Sequence, residues 1–117
     1  LIGNSDRHFE NISLLICESG EFQGIAPAYD ILPMRYASIG GGVDPDLTTI
    51  DPKVGSIGAK PEVWGGAFAA AQRFWQAVQS ERLKVPLSHE IKDLAARNLA
   101  RAREFVEPLL PTSRGLP

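Results

Sequence analysis

The sequence predicts an α+β chain, mostly helical, in which one β-hairpin near the N-terminus is followed by a long loop and two helices. Three features of the pattern lead there. A short apolar run, Ile12 to Cys17, is bounded by turn chemistry; a middle stretch rich in Gly and Pro has no periodicity; and beyond Pro61 apolar residues recur at helical spacing. With 117 residues and 44% hydrophobic content, the chain can bury one modest core and is short for two ordinary domains. A single unit over residues 1–117 is therefore expected.

The first zone runs to about residue 34. A polar loop, Gly3-Asn4-Ser5-Asp6-Arg7-His8, leads into Ile12-Ser13-Leu14-Leu15-Ile16-Cys17, a β-rich run too short for most helices, which reads as a strand. Glu18-Ser19-Gly20 supplies a turn. Glu21-Phe22-Gln23-Gly24-Ile25 then alternates polar with apolar or small residues, so the two segments pair as a hairpin that ends at Ala26-Pro27. The second zone, about 35–60, holds Gly40-Gly41-Gly42, Pro45, Pro52, Gly55 and Gly58, which disfavour regular helix and predict a long loop. A loop of that length is more often functional or mobile than accidental, with simple disorder as the other reading.

The third zone, about 61–110, is helical. Trp64, Phe68, Ala71, Trp75 and Val78 share one face of a helix that opens near Pro61-Glu62, and both tryptophans are expected in the core. A second helix follows Pro86-Leu87 with Ser88 as its N-cap. Ile91, Leu94, Ala95, Leu99, Ala102 and Val106 form its buried stripe, and it stops near Pro108 to Pro111. Arg97, Arg101 and Arg103 lie off that stripe and read as a solvated face.

Composition excludes several function classes. A formal charge of -2 and a pI near 5.6 argue against a stand-alone nucleic-acid binder held by phosphate contacts. The single cysteine, Cys17, permits no internal disulfide, and no histidine spacing suggests a zinc site; strand packing is its expected role. No apolar run approaches the roughly 18 residues of a membrane helix, and no signal-peptide pattern opens the chain, so a cytoplasmic protein without membrane contact is expected. Because the chain starts Leu1-Ile2-Gly3 and its densest polar motif follows at once, we expect a piece of something longer.

The chemistry is concentrated in Gly3-Asn4-Ser5-Asp6-Arg7-His8-Phe9-Glu10-Asn11. Phosphoryl transfer needs a carboxylate to orient or deprotonate the attacking hydroxyl and oxygen ligands to hold magnesium against the phosphates. Asp6 and Asn11 supply both types, with the four intervening residues of a protein-kinase catalytic loop. That spacing alone favours a turn or a helix cap over a catalytic loop. A second element follows one hairpin later: Ala26-Pro27-Ala28-Tyr29-Asp30 puts Asp30 just past the second strand, where a kinase carries its second acidic magnesium ligand.

Together, Ile2-Gly3-Asn4-Ser5-Asp6-Arg7-His8 through Asn11 and Ala26-Pro27-Ala28-Tyr29-Asp30-Ile31-Leu32-Pro33 resemble the HipA toxin kinase family. The blocks match in order and spacing over about the first third of the chain, and the helical remainder agrees only in general character. The resemblance implies part of a protein-kinase-like C-terminal lobe that uses ATP and magnesium to phosphorylate serine or threonine, as the toxin of a toxin-antitoxin pair. It implies Asp6 as catalytic base, Asn11 and Asp30 as magnesium ligands, and nucleotide contacts from His8, Glu10, Asn11, Tyr29 and Asp30. It also implies a protein substrate, a translation component in known members, and a DNA-binding antitoxin as partner. The glycine-rich phosphate loop and strand lysine of kinases precede the catalytic loop and find no counterpart here, since Gly40-Gly41-Gly42, Lys53 and Lys60 follow it. The isolated chain is accordingly expected to be inactive by itself.

Two other functions compete. One is a non-catalytic, protein-binding kinase remnant, which an exposed Trp64 or Trp75 would favour. The other is a small metal-dependent phosphohydrolase using Asp6, His8 and Asp30, which no further metal-binding constellation supports. His89 reads as a solvent-facing residue beside the Ser88 cap. Asp44-Pro45-Asp46 and Asp51 lack the ligand pattern of a calcium loop.

Overall fold

The computed structural model describes residues 1–5, 9–29, 31–38, 40–55, 58 and 60–111. It is α+β and mostly helical, with one two-stranded antiparallel hairpin followed by two α-helices. The chain divides into two compact units, Gly3–Pro45 and Leu1–Ile2 with Asp46–Pro117.

In the unit Gly3–Pro45, strand β1 (Leu14–Ile16) pairs with β2 (Phe22–Ile25). The turn is the one its composition predicts: the Gly20 N–H donates to the Cys17 carbonyl at 2.9 Å and the Cys17 N–H to the Glu21 carbonyl at 3.0 Å. Gly20 sits at φ 86°, the left-handed conformation that ends a three-residue hairpin loop and that a Cβ would disfavour. The pairs are Leu14 with Ile25, Leu15 with Gly24 and Ile16 with Phe22, so Gln23 is an extra residue and β2 carries a bulge. The bond from the Ala26 N–H to the Ser13 carbonyl, 2.8 Å, continues the ladder beyond both strands.

Burial in the hairpin departs from what its apolar sequence suggests. Leu14, Leu15, Ile16, Phe22 and Ile25 are all exposed, from 46% at Leu15 to 68% at Ile25. Cys17 lies past the end of β1, half-buried, with its thiol 2.8 Å from the Ser19 hydroxyl; it is a turn residue rather than a packed strand residue.

The unit Leu1–Ile2 with Asp46–Pro117 is built on α1 (Pro61–Gln79) and α2 (His89–Val106), which pack on each other. Pro61 occupies the first turn of α1, where its missing N–H costs nothing. The Ser88 hydroxyl accepts the Ile91 N–H at 3.3 Å and caps α2. Of the predicted α1 face, Trp64, Ala71 and Trp75 are buried and Phe68 and Val78 half-buried. On α2, Leu94, Ala95, Ala102 and Val106 are buried, as is Asn98.

Each tryptophan satisfies its indole N–H, as burial requires. Trp64 donates to the Gly58 carbonyl at 2.7 Å and meets Phe105 edge-to-face at 5.1 Å; Trp75 donates to the Leu1 carbonyl at 3.2 Å. Truncating either to Ala removes about 3–5 kcal/mol by analogy with core aromatics elsewhere. The described residues between 37 and 60 form no α-helix and no extended strand, in keeping with their Gly and Pro content. Part of that stretch is nonetheless fastened to α2: the Ile50 N–H donates to Asn98 Oδ1 at 2.8 Å, and Arg101 pairs with Asp51 at 2.7 Å.

Candidate functional site

The candidate site lies in the unit Gly3–Pro45, where two sequence blocks flank the hairpin. Asp6, His8 and Asp30, the expected base, nucleotide contact and second magnesium ligand, lie outside the described residues. Glu10 and Asn11 belong to a 3-10 turn, Phe9–Asn11, that leads into β1, with Glu10 exposed and Asn11 half-buried.

The two blocks meet through Tyr29. Its hydroxyl donates to the Glu10 carbonyl at 2.8 Å and lies 3.0 Å from the Ser13 hydroxyl, and its side chain remains 41% exposed. The chain is joined again farther out, where the N–H of Arg35, two residues past the second block, donates to the Gly3 carbonyl at 2.9 Å. Pro33 shapes that return: at φ -76° and ψ 65° it is the centre of an inverse γ-turn, closed by the Met34 N–H on the Leu32 carbonyl at 2.8 Å. A proline is suited to this position because its ring already holds φ near that value.

Residues 19 and 32 positions apart in sequence are thus joined, because the hairpin folds the chain back on itself. The sequence reading did not include Ser13 among the site residues, since a serine entering a strand carries no local signal of a partner 16 positions away. Tyr29 was expected to touch nucleotide, and its hydroxyl is engaged by the protein's own chain.

Among the described residues no group of three or more His, Cys, Asp or Glu side chains is arranged to hold a metal ion. Asn11 and Asp30 are oxygen donors, one neutral amide and one carboxylate, and such hard ligands fit magnesium rather than a soft metal. No helix among the described residues is long and apolar enough to cross a membrane.

Compared with known proteins, the chain is similar to a bacterial toxin. The relative is Toxin YjjJ of Escherichia coli (strain K12), 37% identical over 78 residues, which cover 67% of this chain and 17% of that protein. The chain therefore spans about a sixth of the length of the curated relative it matches. No family model matches the sequence, and no solved structure matches significantly.

Proposed function

We propose that this chain is the catalytic-loop portion of a HipA-like serine/threonine protein kinase acting as the toxin of a toxin-antitoxin pair, equivalent to part of a kinase C-terminal lobe. The observation that carries the reading is the joining of the two motif blocks: Tyr29, next to Asp30, is hydrogen-bonded to Glu10, next to Asn11. The likeness to a toxin supports the toxin role.

In this reading Asp6 orients the attacking hydroxyl of a protein serine or threonine and accepts its proton. The bond from the γ-phosphorus to the bridging oxygen of ATP breaks as the bond to the hydroxyl oxygen forms, and ADP leaves. Asn11 and Asp30 would hold magnesium, which neutralises phosphate charge when bound. His8, Glu10 and Tyr29 would contribute contacts to the nucleotide. The substrate class is a protein, and the partner is an antitoxin. The reducing cytoplasm suits a chain whose single cysteine is free.

A second reading is favoured by a specific observation. The hairpin exposes Leu14, Ile16, Phe22 and Ile25 together, and such surfaces serve protein binding in a non-catalytic kinase remnant. Titration of MgATP into the chain and into Asn11→Ala separates the two. A kinase half-site binds nucleotide and loses at least about tenfold in affinity on removal of a magnesium ligand. A remnant binds protein partners and shows no nucleotide affinity in either form.

A further inference from the structure

The hydrogen bonds around Tyr29 have a definite direction. A phenol has one proton, and the Glu10 carbonyl can only accept, so the 2.8 Å bond consumes the Tyr29 proton. The 3.0 Å contact with Ser13 must then run the other way, with the Ser13 hydroxyl donating to the Tyr29 oxygen. The result is a relay from Ser13 through Tyr29 to the Glu10 carbonyl, in which each bond polarises the next. In this arrangement the hydroxyl has no proton to offer a phosphate oxygen.

We propose that Tyr29 is a positioning residue: by holding the Glu10 carbonyl and accepting from Ser13, its hydroxyl fixes the segment that leads into Asp30 against the turn that carries Asn11. The proposal rests on the reading that these two blocks hold MgATP, and it assigns Ser13 a part in that site through Tyr29. Two ligands from distant segments bind one metal ion well only if their separation is set beforehand, because ordering them on binding subtracts from the affinity. The bond from the Arg35 N–H, just past the second block, to the Gly3 carbonyl ties the same two segments a second time, beyond the Tyr29–Glu10 bond.

The test uses MgATP affinity by calorimetry for the wild-type chain, Tyr29→Phe, Ser13→Ala and the double variant, with amide hydrogen exchange of residues 9–13 and 26–29 measured without nucleotide. Tyr29→Phe keeps the ring and loses both bonds, so affinity falls about tenfold, whereas Ser13→Ala loses one bond and about threefold, using the ordinary worth of a net hydrogen bond. The double variant is no weaker than Tyr29→Phe, since Ser13 acts through Tyr29. Exchange accelerates in both segments in Tyr29→Phe. Unchanged affinity in Tyr29→Phe, or unchanged exchange, overturns the positioning role. So does a loss in Tyr29→Phe with none in Ser13→Ala, which marks a direct contact between hydroxyl and nucleotide. A wild-type chain that binds no MgATP overturns the functional reading itself, an outcome distinct from wild-type binding that Tyr29→Phe leaves intact.

Discussion

Asn98→Ala is the substitution whose cost can be worked most directly from the structure. Asn98 is 2% exposed on the packed face of α2, and its Oδ1 accepts the N–H of Ile50, 48 residues earlier, at 2.8 Å. Alanine leaves that half-buried amide without this acceptor, a loss of about 1–3 kcal/mol, and opens a small void in the packed face. The higher helix propensity of alanine offsets about 0.5 kcal/mol, so a net loss near 2 kcal/mol is expected. The same loop makes a second contact with α2, the Asp51–Arg101 ion pair, whose side chains are 70% and 39% exposed. A pair so open to water and salt contributes about 0–1 kcal/mol, so Asp51→Ala should cost much less. Equilibrium urea unfolding followed by tryptophan emission reads both, because Trp64 and Trp75 are buried in this unit. At a slope of about 1–3 kcal/mol per molar urea, Asn98→Ala lowers the midpoint by roughly 1 M. A midpoint shift for Asp51→Ala equal to or larger than that of Asn98→Ala would refute the claim that burial decides between the two contacts.

Two further outcomes concern charge. Lys92 bonds Glu81 and holds its carboxyl below its ordinary value of 4.5, first through the hydrogen bond and then through its charge. A depressed folded value means that the stabilisation is present above the unfolded value and is lost as pH falls through the folded one. In an NMR titration Lys92→Ala should therefore move the Glu81 midpoint up toward 4.5, and added salt should do so partially. The Ser19 hydroxyl similarly draws the Cys17 thiol below its ordinary value of 9.0 by stabilising the thiolate. Ser19→Ala should raise that value and slow alkylation of Cys17 by iodoacetamide at pH 8; an unchanged rate profile would remove Ser19 as the cause.

Local signals were the legible part of this fold. Pro61 opens α1, Ser88 caps α2, and Glu18-Ser19-Gly20 turns the hairpin, because each depends on residues adjacent in sequence. The helix faces were legible for the same reason: Trp64, Ala71 and Trp75 follow a period of 3.6 residues. Asn98 shows where this stops. It falls four residues from both Leu94 and Ala102, so the period places it on the stripe, yet nothing local identifies the Ile50 amide as its partner. Arg101 reads as a solvated charge, and its partner Asp51 is likewise 50 positions away.

The hairpin marks a different limit, since an apolar run predicts burial only if a second surface covers it. Leu14, Phe22 and Ile25 have the sequence of packed strands and are exposed in this chain. In the site, the order and spacing of two blocks pointed to phosphoryl transfer. Of the six residues named, Glu10, Asn11 and Tyr29 are described, while Asp6, His8 and Asp30 lie outside the described residues. Tyr29 entered through the resemblance, and the partners of its hydroxyl, the Glu10 carbonyl and the Ser13 hydroxyl, lie 19 and 16 positions away, where no local pattern points to them.

The central claim is that Asn11 and Asp30 hold magnesium for a nucleotide. Calorimetric titration of ATP with magnesium, and with the metal removed by EDTA, into the wild-type chain and into Asp30→Ala tests it most directly. The account predicts wild-type binding that requires magnesium and falls at least about tenfold in Asp30→Ala. Binding that is indifferent to both magnesium and Asp30, or no binding under any of these conditions, would contradict it.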